Sequence, residues 1–264
     1  GFSLAPYLDE ARKQLHDETN YTLEAAQLVR FRHLLKETDS FIIPAVHPDW
    51  SSPKILAMDF MAGDPIETLE GASQWVKDQV MTDLIRLALR ELFEFGVMQT
   101  DPNFANYLYQ PQTDKIVLLD FGAARTIAPH IVDQYLHLLC AGLEDDVGGL
   151  TTAAQNMGLF DADTRDEHRM RIVQMLRQVF HMIREGGAID FADQTLANQL
   201  QAEGLALFQD GFSPSVLPID VLLIQRKFAG LFLLGARLGA CVNVGEIFRR
   251  HGGYLSAGQT ASFQ

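Results

Sequence analysis

The chain has 264 residues, with 21 Lys and Arg against 34 Asp and Glu and a formal net charge of −13. Its 47% hydrophobic content excludes a disordered, collagenous or low-complexity chain and fits one large domain or two modest ones. The negative balance excludes a nucleic-acid binder, which needs a stripe of Lys and Arg to track phosphates; the densest basic stretches here are Arg226–Lys227 and Arg249–Arg250.

Residues 6–37 read as one long helix: Leu8, Leu15, Leu23, Ala26 and Leu34 recur near helical spacing, Pro6 suits the first turn, and no glycine intervenes. Residues 41–46 and 54–60 predict two short strands separated by the turn-rich segment 47–53. Gly63-Asp64-Pro65 breaks that pattern and reads as a hinge between lobes. A second helix over 73–95 carries apolar residues on more than one stripe, so burial on several sides is expected. Beyond Gly96 lie a polar segment, 99–106, and two apolar runs, 107–109 and 116–119, whose spacing predicts a hairpin. From Pro129 onward nearly everything reads as helical, with breaks near Gly148-Gly149, Gly158, Gly186-Gly187 and 211–218. The expected organisation is a small helix-plus-strands portion, 1–62, and a larger, mostly helical portion, 63–264.

Cys140 and Cys241 stand alone in apolar contexts without metal-ligand spacing, so a zinc site or disulfide framework is not expected; both thiols are expected in the core, in a reducing compartment. The most apolar stretch, 221–242, is interrupted by Gln225-Arg226-Lys227 and Arg237, too often to span a bilayer. No signal peptide is visible at Gly1-Phe2-Ser3-Leu4, which begins like a cut edge.

Two clusters carry chemistry. Asp101 is followed five residues later by Asn106, and Asp120-Phe121-Gly122 follows beyond the hairpin. This is the spacing of a kinase catalytic loop and its Asp-Phe-Gly element. Phosphoryl transfer concentrates negative charge, so hard oxygen ligands must hold Mg²⁺. Asn106 and Asp120 are placed to converge on one such ion, and Asp101 to orient an attacking hydroxyl or water and accept its proton. The bland alternative makes 101–103 an ordinary turn and Asp120 a turn-capping carboxylate. Glu24, on the first helix, is unremarkable alone, although kinase-like folds use a helix glutamate to pair with a strand lysine.

The segments Tyr21-Thr22-Leu23-Glu24-Ala25-Ala26, Leu92 to Asn103, Leu119 to Arg125 and Gln225-Arg226-Lys227-Phe228-Ala229-Gly230 resemble the UbiB/AarF family of atypical protein-kinase-like proteins, in its Coq-type branch. The resemblance implies an α+β, protein-kinase-like fold with an incomplete N-lobe and a large, mostly helical C-lobe. It makes Asp101 the catalytic-loop aspartate, Asn106 and Asp120 the Mg²⁺ ligands, Glu24 the lysine-pairing glutamate, and Asp59, Phe60 and Met61 the hinge whose backbone meets adenine. ATP and Mg²⁺ are the implied cofactors. Isoprenoid quinone precursors and quinone-biosynthesis proteins are the implied partners, with peripheral contact to a membrane from the cytoplasm or the mitochondrial matrix.

Two departures matter. The family's E-x-D element falls on Glu18-Thr19-Asn20, where the aspartate is an asparagine. Its K-x-G-Q helix, Ala-rich nucleotide loop and strand lysine have no counterpart before Glu24, where Lys13 is the only lysine. A fragment of a longer protein is the expected explanation, a degenerate kinase the other; alone, the chain is expected to be inactive.

Only a few residues separate Gly122 from Pro129, and Gln99-Thr100 stands where His-Arg is usual, so peptide docking on an activation segment is not expected. ATP hydrolysis, or transfer to a small or lipid-like molecule, is the expectation. A pseudokinase scaffold without turnover is the rival, and an aminoglycoside-kinase-like phosphotransferase a weaker one. Three lesser features receive plain readings. Gly235-x-x-x-Gly239 is expected to permit close helix packing, His130 and His137 to lie at the surface, and Glu144-Asp145-Asp146 to be a solvated helix end.

Overall fold

Helix α1 (Tyr21–Leu34) opens with Asn20 as its cap, the side chain accepting from the Thr22 amide at 3.1 Å. The computed structural model describes residues 20–185, 187–214 and 216–250, so the first half of the expected 6–37 helix, with Leu8 and Leu15, lies outside the described residues. The apolar stripe read from sequence is not the buried one: Leu23 is half exposed, whereas Leu28, Phe31 and Leu35 are buried. These three share a face with Glu24 at spacings of four, three and four residues, and that shared face aims Glu24 inward.

Strand formation in the small portion is shorter than expected. Among its described residues only Phe41–Ile42 (β1) joins a sheet. Pro44 has no amide to donate, and the chain beyond it turns to pair with 54–60. The His47 amide donates to the Ala57 carbonyl at 2.8 Å, the Asp59 amide to Ala45 at 2.9 Å, and Val46 bridges Met58. At Gly63 an added Cβ would lie 2.9 Å from Leu108 Cβ, so the expected hinge glycine is also where the chain crosses close over the next hairpin.

Strand β2 (Asp64–Pro65) leads to α2 (Gln74–Arg90), capped by Ser73 and buried on several sides as its pattern predicts, at Val80, Met81, Leu84, Ile85, Leu87 and Leu89. The helix continues as a π turn, Glu91–Phe95, and stops at Gly96, which takes a left-handed φ of 59°. Then come β3 (Val97–Gln99), β4 (Tyr107–Gln110), β5 (Lys115–Leu118) and β6 (Ala124–Thr126). The predicted hairpin is β4–β5, with Tyr107 opposite Leu118. It forms the centre of a sheet ordered β1-β5-β4-β2, in which β1 runs parallel to β5. The short β3–β6 ribbon, with Gln99 opposite Ala124, has no counterpart in the sequence reading. Three-residue strands carry too little alternation to be seen.

The remainder is helical: α3 (Pro129–Glu144), α4 (Val147–Asn156), α5 (Asp166–Glu185), α6 (Thr195–Gln209) and α7 (Ile219–Leu238), with a small ribbon of β7 (Ile189–Asp190) and β8 (Cys241–Val242). Among the described residues no helix is long and apolar enough to cross a membrane. The α3–α4 break falls before Gly148-Gly149, because Asp145 adopts a left-handed φ of 56° and ends α3. The acidic helix end is not merely solvated. Asp145 accepts from Arg177 Nε and Nη2, both at 3.1 Å, and lies 3.3 Å from Arg184, which locks α3 onto α5 and holds its carboxyl below the usual range.

The cysteines also depart from expectation. Cys140 is exposed and Cys241 half buried. His130, Asp133, His137, Cys140 and Glu144 recur at spacings of three and four, forming the solvent face of α3. Gly235 admits the Phe191 ring rather than another helix, and Gly239 caps α7 with a φ of 64°. Gly142 of α3 admits the Phe180 ring of α5, into which an added Cβ would overlap. Gly142→Ala is therefore expected to lower unfolding free energy by about 1–3 kcal/mol despite alanine's better helix propensity. Urea unfolding checks this, and a stabilised variant would contradict the packing.

Candidate active site

The two ribbons share one chain. Strand β3 passes through 100–106 into β4, and β5 returns through 119–123 into β6, so the two connections run side by side. Backbone bonds join them at both ends: Leu119 donates to the Asn106 carbonyl at 3.1 Å and Thr100 to the Ala123 carbonyl at 3.3 Å. This forces Asn106 and Asp120 together, with Asn106 Nδ2 2.9 Å from Asp120 Oδ2. The other carboxylate oxygen accepts from the Gly122 amide at 2.7 Å.

Gln99 and Thr100, both buried, stitch the loops. Gln99 Nε2 donates to the Asp120 carbonyl at 2.8 Å while its Oε1 accepts from the Asp101 amide at 3.3 Å. Thr100 Oγ1 donates to the Ala123 carbonyl at 2.9 Å. The sequence reading noted only what this pair lacks. Their placement after an apolar run and directly before Asp101 was the available signal.

Helix α1 brings Glu24 to the same place. Beside Gly122, an added Cβ would lie 3.3 Å from Asp120 Oδ1 and 3.8 Å from Glu24 Oε2. Half-burial and the Asp120 carboxylate push the Glu24 pKa up to about 7. Two carboxylates and a carboxamide thus gather with an excess of negative charge that a cation would relieve. Mg²⁺ fits: it takes hard oxygens, keeps waters and completes its octahedron from substrate phosphates, so two protein ligands suffice. Asp120 presents a carboxylate oxygen, and Asn106 presents its amide oxygen once that amide is turned about its last torsion.

Asp101 is half buried, and its Oδ1 lies 3.2 Å from Arg226 Nη2 of α7. That helix runs along the loop. Lys227, buried, donates to Tyr107 Oη at 2.9 Å. Asp220 lies 3.3 Å from Arg125 Nε and accepts from the Ala128 amide at 3.3 Å. Gly230 lets α7 touch the loop: an added Cβ would lie 2.5 Å from Pro102 Cβ.

Asp59, Phe60 and Met61, the expected hinge, make no described contact with this cluster. The Asp59 carboxylate accepts from the Ala45 amide at 3.1 Å and contacts His47 Nε2 at 2.9 Å, and the Ala45 amide is the first cause of its lowered pKa. Phe60 is 94% exposed and Met61 half buried. Of the E-x-D element only Asn20 is described, and Lys13 lies outside the described residues.

A helix glutamate over an Asp-Phe-Gly turn, beside an Asp-x-x-x-x-Asn loop, on this arrangement of ribbons and helices, defines a protein-kinase-like protein. The family model described as the ABC1 atypical kinase-like domain matches residues 1–154, and the chain belongs to that UbiB/AarF family. It is 35% identical over 253 residues to the atypical kinase COQ8, mitochondrial, of Saccharomyces cerevisiae, covering 94% of this chain and 50% of that one. It is 32% identical over 245 residues to the mitochondrial atypical kinase COQ8B of Rattus norvegicus, covering 92% and 46%. The chain thus spans about half the length of these curated relatives. The solved complex of Rv3197 with erythromycin from Mycobacterium tuberculosis superposes with a TM-score of 0.74 at 21% identity, covering 94% of this chain and 61% of that one, and shares the fold.

Proposed function

We propose that the protein carrying this chain is an atypical kinase or ATPase that supports ubiquinone biosynthesis through Mg-ATP-dependent hydrolysis or phosphoryl transfer. The observation that carries this reading is the 2.9 Å approach of Asn106 to Asp120 beneath Glu24, with Asp101 at the head of the same loop. Bound Mg²⁺ would neutralise the phosphates. Asn106 and Asp120 would hold it, Asp101 would orient the attacking oxygen and take its proton late, and the backbone of 59–61 would meet adenine. Residues 1–62 would then be the remnant of the small lobe and 63–264 the large one.

A lipid-like acceptor is favoured by two apolar cavities of about 360 and 400 Å³ that share Leu159, Leu176, Val179 and Gln225 between the helices of the large portion. A mitochondrial location is favoured by the mitochondrial relatives; the cytoplasm, at the periphery of a membrane, is the other location carried by this proposal.

The test is Mg-ATP turnover at full natural length, with and without Asp120→Asn. Turnover is expected to fall to background in the variant while its unfolding midpoint stays within a few degrees. Equal rates would remove Asp120 from the mechanism and leave the scaffold reading.

A further inference from the structure

The loop from Asp101 to Asn106 contains no Lys or Arg, and neither does the chain from Leu118 to Ala124. Yet three carboxylates, Glu24, Asp101 and Asp120, line the two loops. The first cation after the Asp-Phe-Gly turn, Arg125, is drawn away by Asp220 at 3.3 Å. Lys227 is buried and directed at Tyr107. The cation that faces the catalytic loop comes from α7, more than a hundred residues later. Resting on the kinase reading above, we propose that Arg226 is a catalytic residue that contacts the transferring phosphoryl group and stabilises the charge spread over its oxygens.

Three observations place it there. The register of α7 is pinned on either side of Arg226, by Asp220 on Arg125 and by the close approach of Gly230 to Pro102, so its guanidinium is not free to wander along the loop. Lys227, the next residue, anchors the helix from below through a buried hydrogen bond. Arg226 itself is 45% exposed and meets Asp101 through a single Nη2 contact of 3.2 Å. A guanidinium has five N–H donors in a planar fork. One contacts Asp101, and the others have no hydrogen-bond or ion-pair partner among the described residues.

In the step itself the acceptor oxygen attacks the γ-phosphorus of a nucleoside triphosphate. The bond from that phosphorus to the β–γ bridging oxygen breaks, and the diphosphate leaves with the bonding electron pair. The acceptor proton passes to the Asp101 carboxylate. The Arg226 charge would lie beside the oxygens on which negative charge grows, and its 3.2 Å contact with Asp101 would help aim that carboxylate.

The experiment compares wild type, Arg226→Ala and Arg226→Lys at full natural length. It measures kcat and KM for Mg-ATP, and affinity for Mg-ADP with and without aluminium fluoride as the phosphoryl mimic. Arg226→Ala is expected to lower kcat about 100- to 1,000-fold with KM within about threefold, and to lose the extra affinity conferred by aluminium fluoride while Mg-ADP alone binds normally. Arg226→Lys is expected to recover part of kcat, and millimolar guanidinium to restore part of the alanine variant's turnover. A kcat within threefold of wild type, in a protein whose Asp120→Asn variant is dead, overturns the role of Arg226 and leaves the kinase reading standing. Equal loss of both affinities also overturns it, since a role confined to shaping the site would do that. A wild type with neither turnover nor affinity for the ADP–fluoride complex overturns the kinase reading, and this inference with it.

Discussion

Replacing Lys227 with alanine is expected to lower unfolding free energy by about 3–5 kcal/mol. The ammonium is 2% exposed and lies beneath the site, hydrogen-bonded to Tyr107 Oη and 5.5 Å from that ring's centre. Burial by itself pushes an ammonium towards neutrality. Here Tyr107, Glu91 and Asp101 outweigh burial and hold Lys227 above its usual range. The reciprocal partner is Glu91, 1% exposed, whose two buried carboxylate oxygens make no well-formed hydrogen bond among the described residues, the Gln99 amide adding only a minor pull. Burial pushes Glu91 up to about 7, and Lys227 acts through space to pull it down. Removing Lys227 leaves that carboxylate buried with no compensating cation, which is where most of the loss arises.

The sign of the pH dependence follows. A carboxyl raised in the folded state binds more protons folded than unfolded between its ordinary value and about 7, so its contribution to stability falls as pH rises through that window. Glu24 acts in the same direction. Glu91→Gln is expected to flatten the decline by up to about 1.4 kcal/mol per pH unit, and the penalty of Lys227→Ala to be smaller at pH 5 than at pH 8, because protonation relieves Glu91. Urea titrations at pH 5, 6, 7 and 8 on the three proteins read this out. A Lys227→Ala penalty that does not change with pH would assign the loss to packing of the lysine stem instead.

Neither half of this pair was legible in the sequence. Glu91 continues the spacing of the buried Leu84, Leu87 and Ala88, but a carboxylate at the end of that face does not read as buried. Lys227 stands beside Arg226, and a pair of basic residues reads as surface, whereas α7 turns one outward to Asp101 and the other under Tyr107. What was legible is of a different kind. The Asp101, Asn106 and Asp120 spacing depends on a hairpin of nearly fixed length, so local chain geometry carries it. The α1 stripe was misread because Leu23 and Ala26 are apolar but face solvent, while the buried face begins with a charged residue, Glu24. A glutamate at the head of a Leu28, Phe31 and Leu35 face was the signal that could have placed it. Likewise Cys140 fell on the solvent face of α3 because an apolar neighbourhood in sequence is not one in space when helical spacing alternates three and four.

The Phe31–Phe121 pair is where fold and site meet, and Phe121→Ala is expected to cost about 3–5 kcal/mol. Both rings are essentially unexposed, with centroids 4.2 Å apart and planes at 30°. Phe121 lies between Asp120 and Gly122, and Phe31 lies two turns along α1 from Glu24. The stack therefore fixes the distance between the helix glutamate and the Asp-Phe-Gly carboxylate. Loss of either ring removes volume from the core and also frees α1 to slide relative to that turn. Phe31→Ala and Phe121→Ala together should cost less than their sum by about 0.5–1.5 kcal/mol, the part each single variant already forfeits. Phe121→Leu, which keeps most of the volume, should cost less than about 1.5 kcal/mol while still lacking a ring to stack. If the stack positions the site, the leucine variant will be nearly as stable as wild type yet, at full natural length and on the kinase reading proposed above, require more Mg²⁺ to half-saturate nucleotide turnover. Additive single-variant costs, together with an unchanged Mg²⁺ requirement in Phe121→Leu, would reduce the pair to ordinary core filling and leave the register of α1 to Leu28 and Leu35.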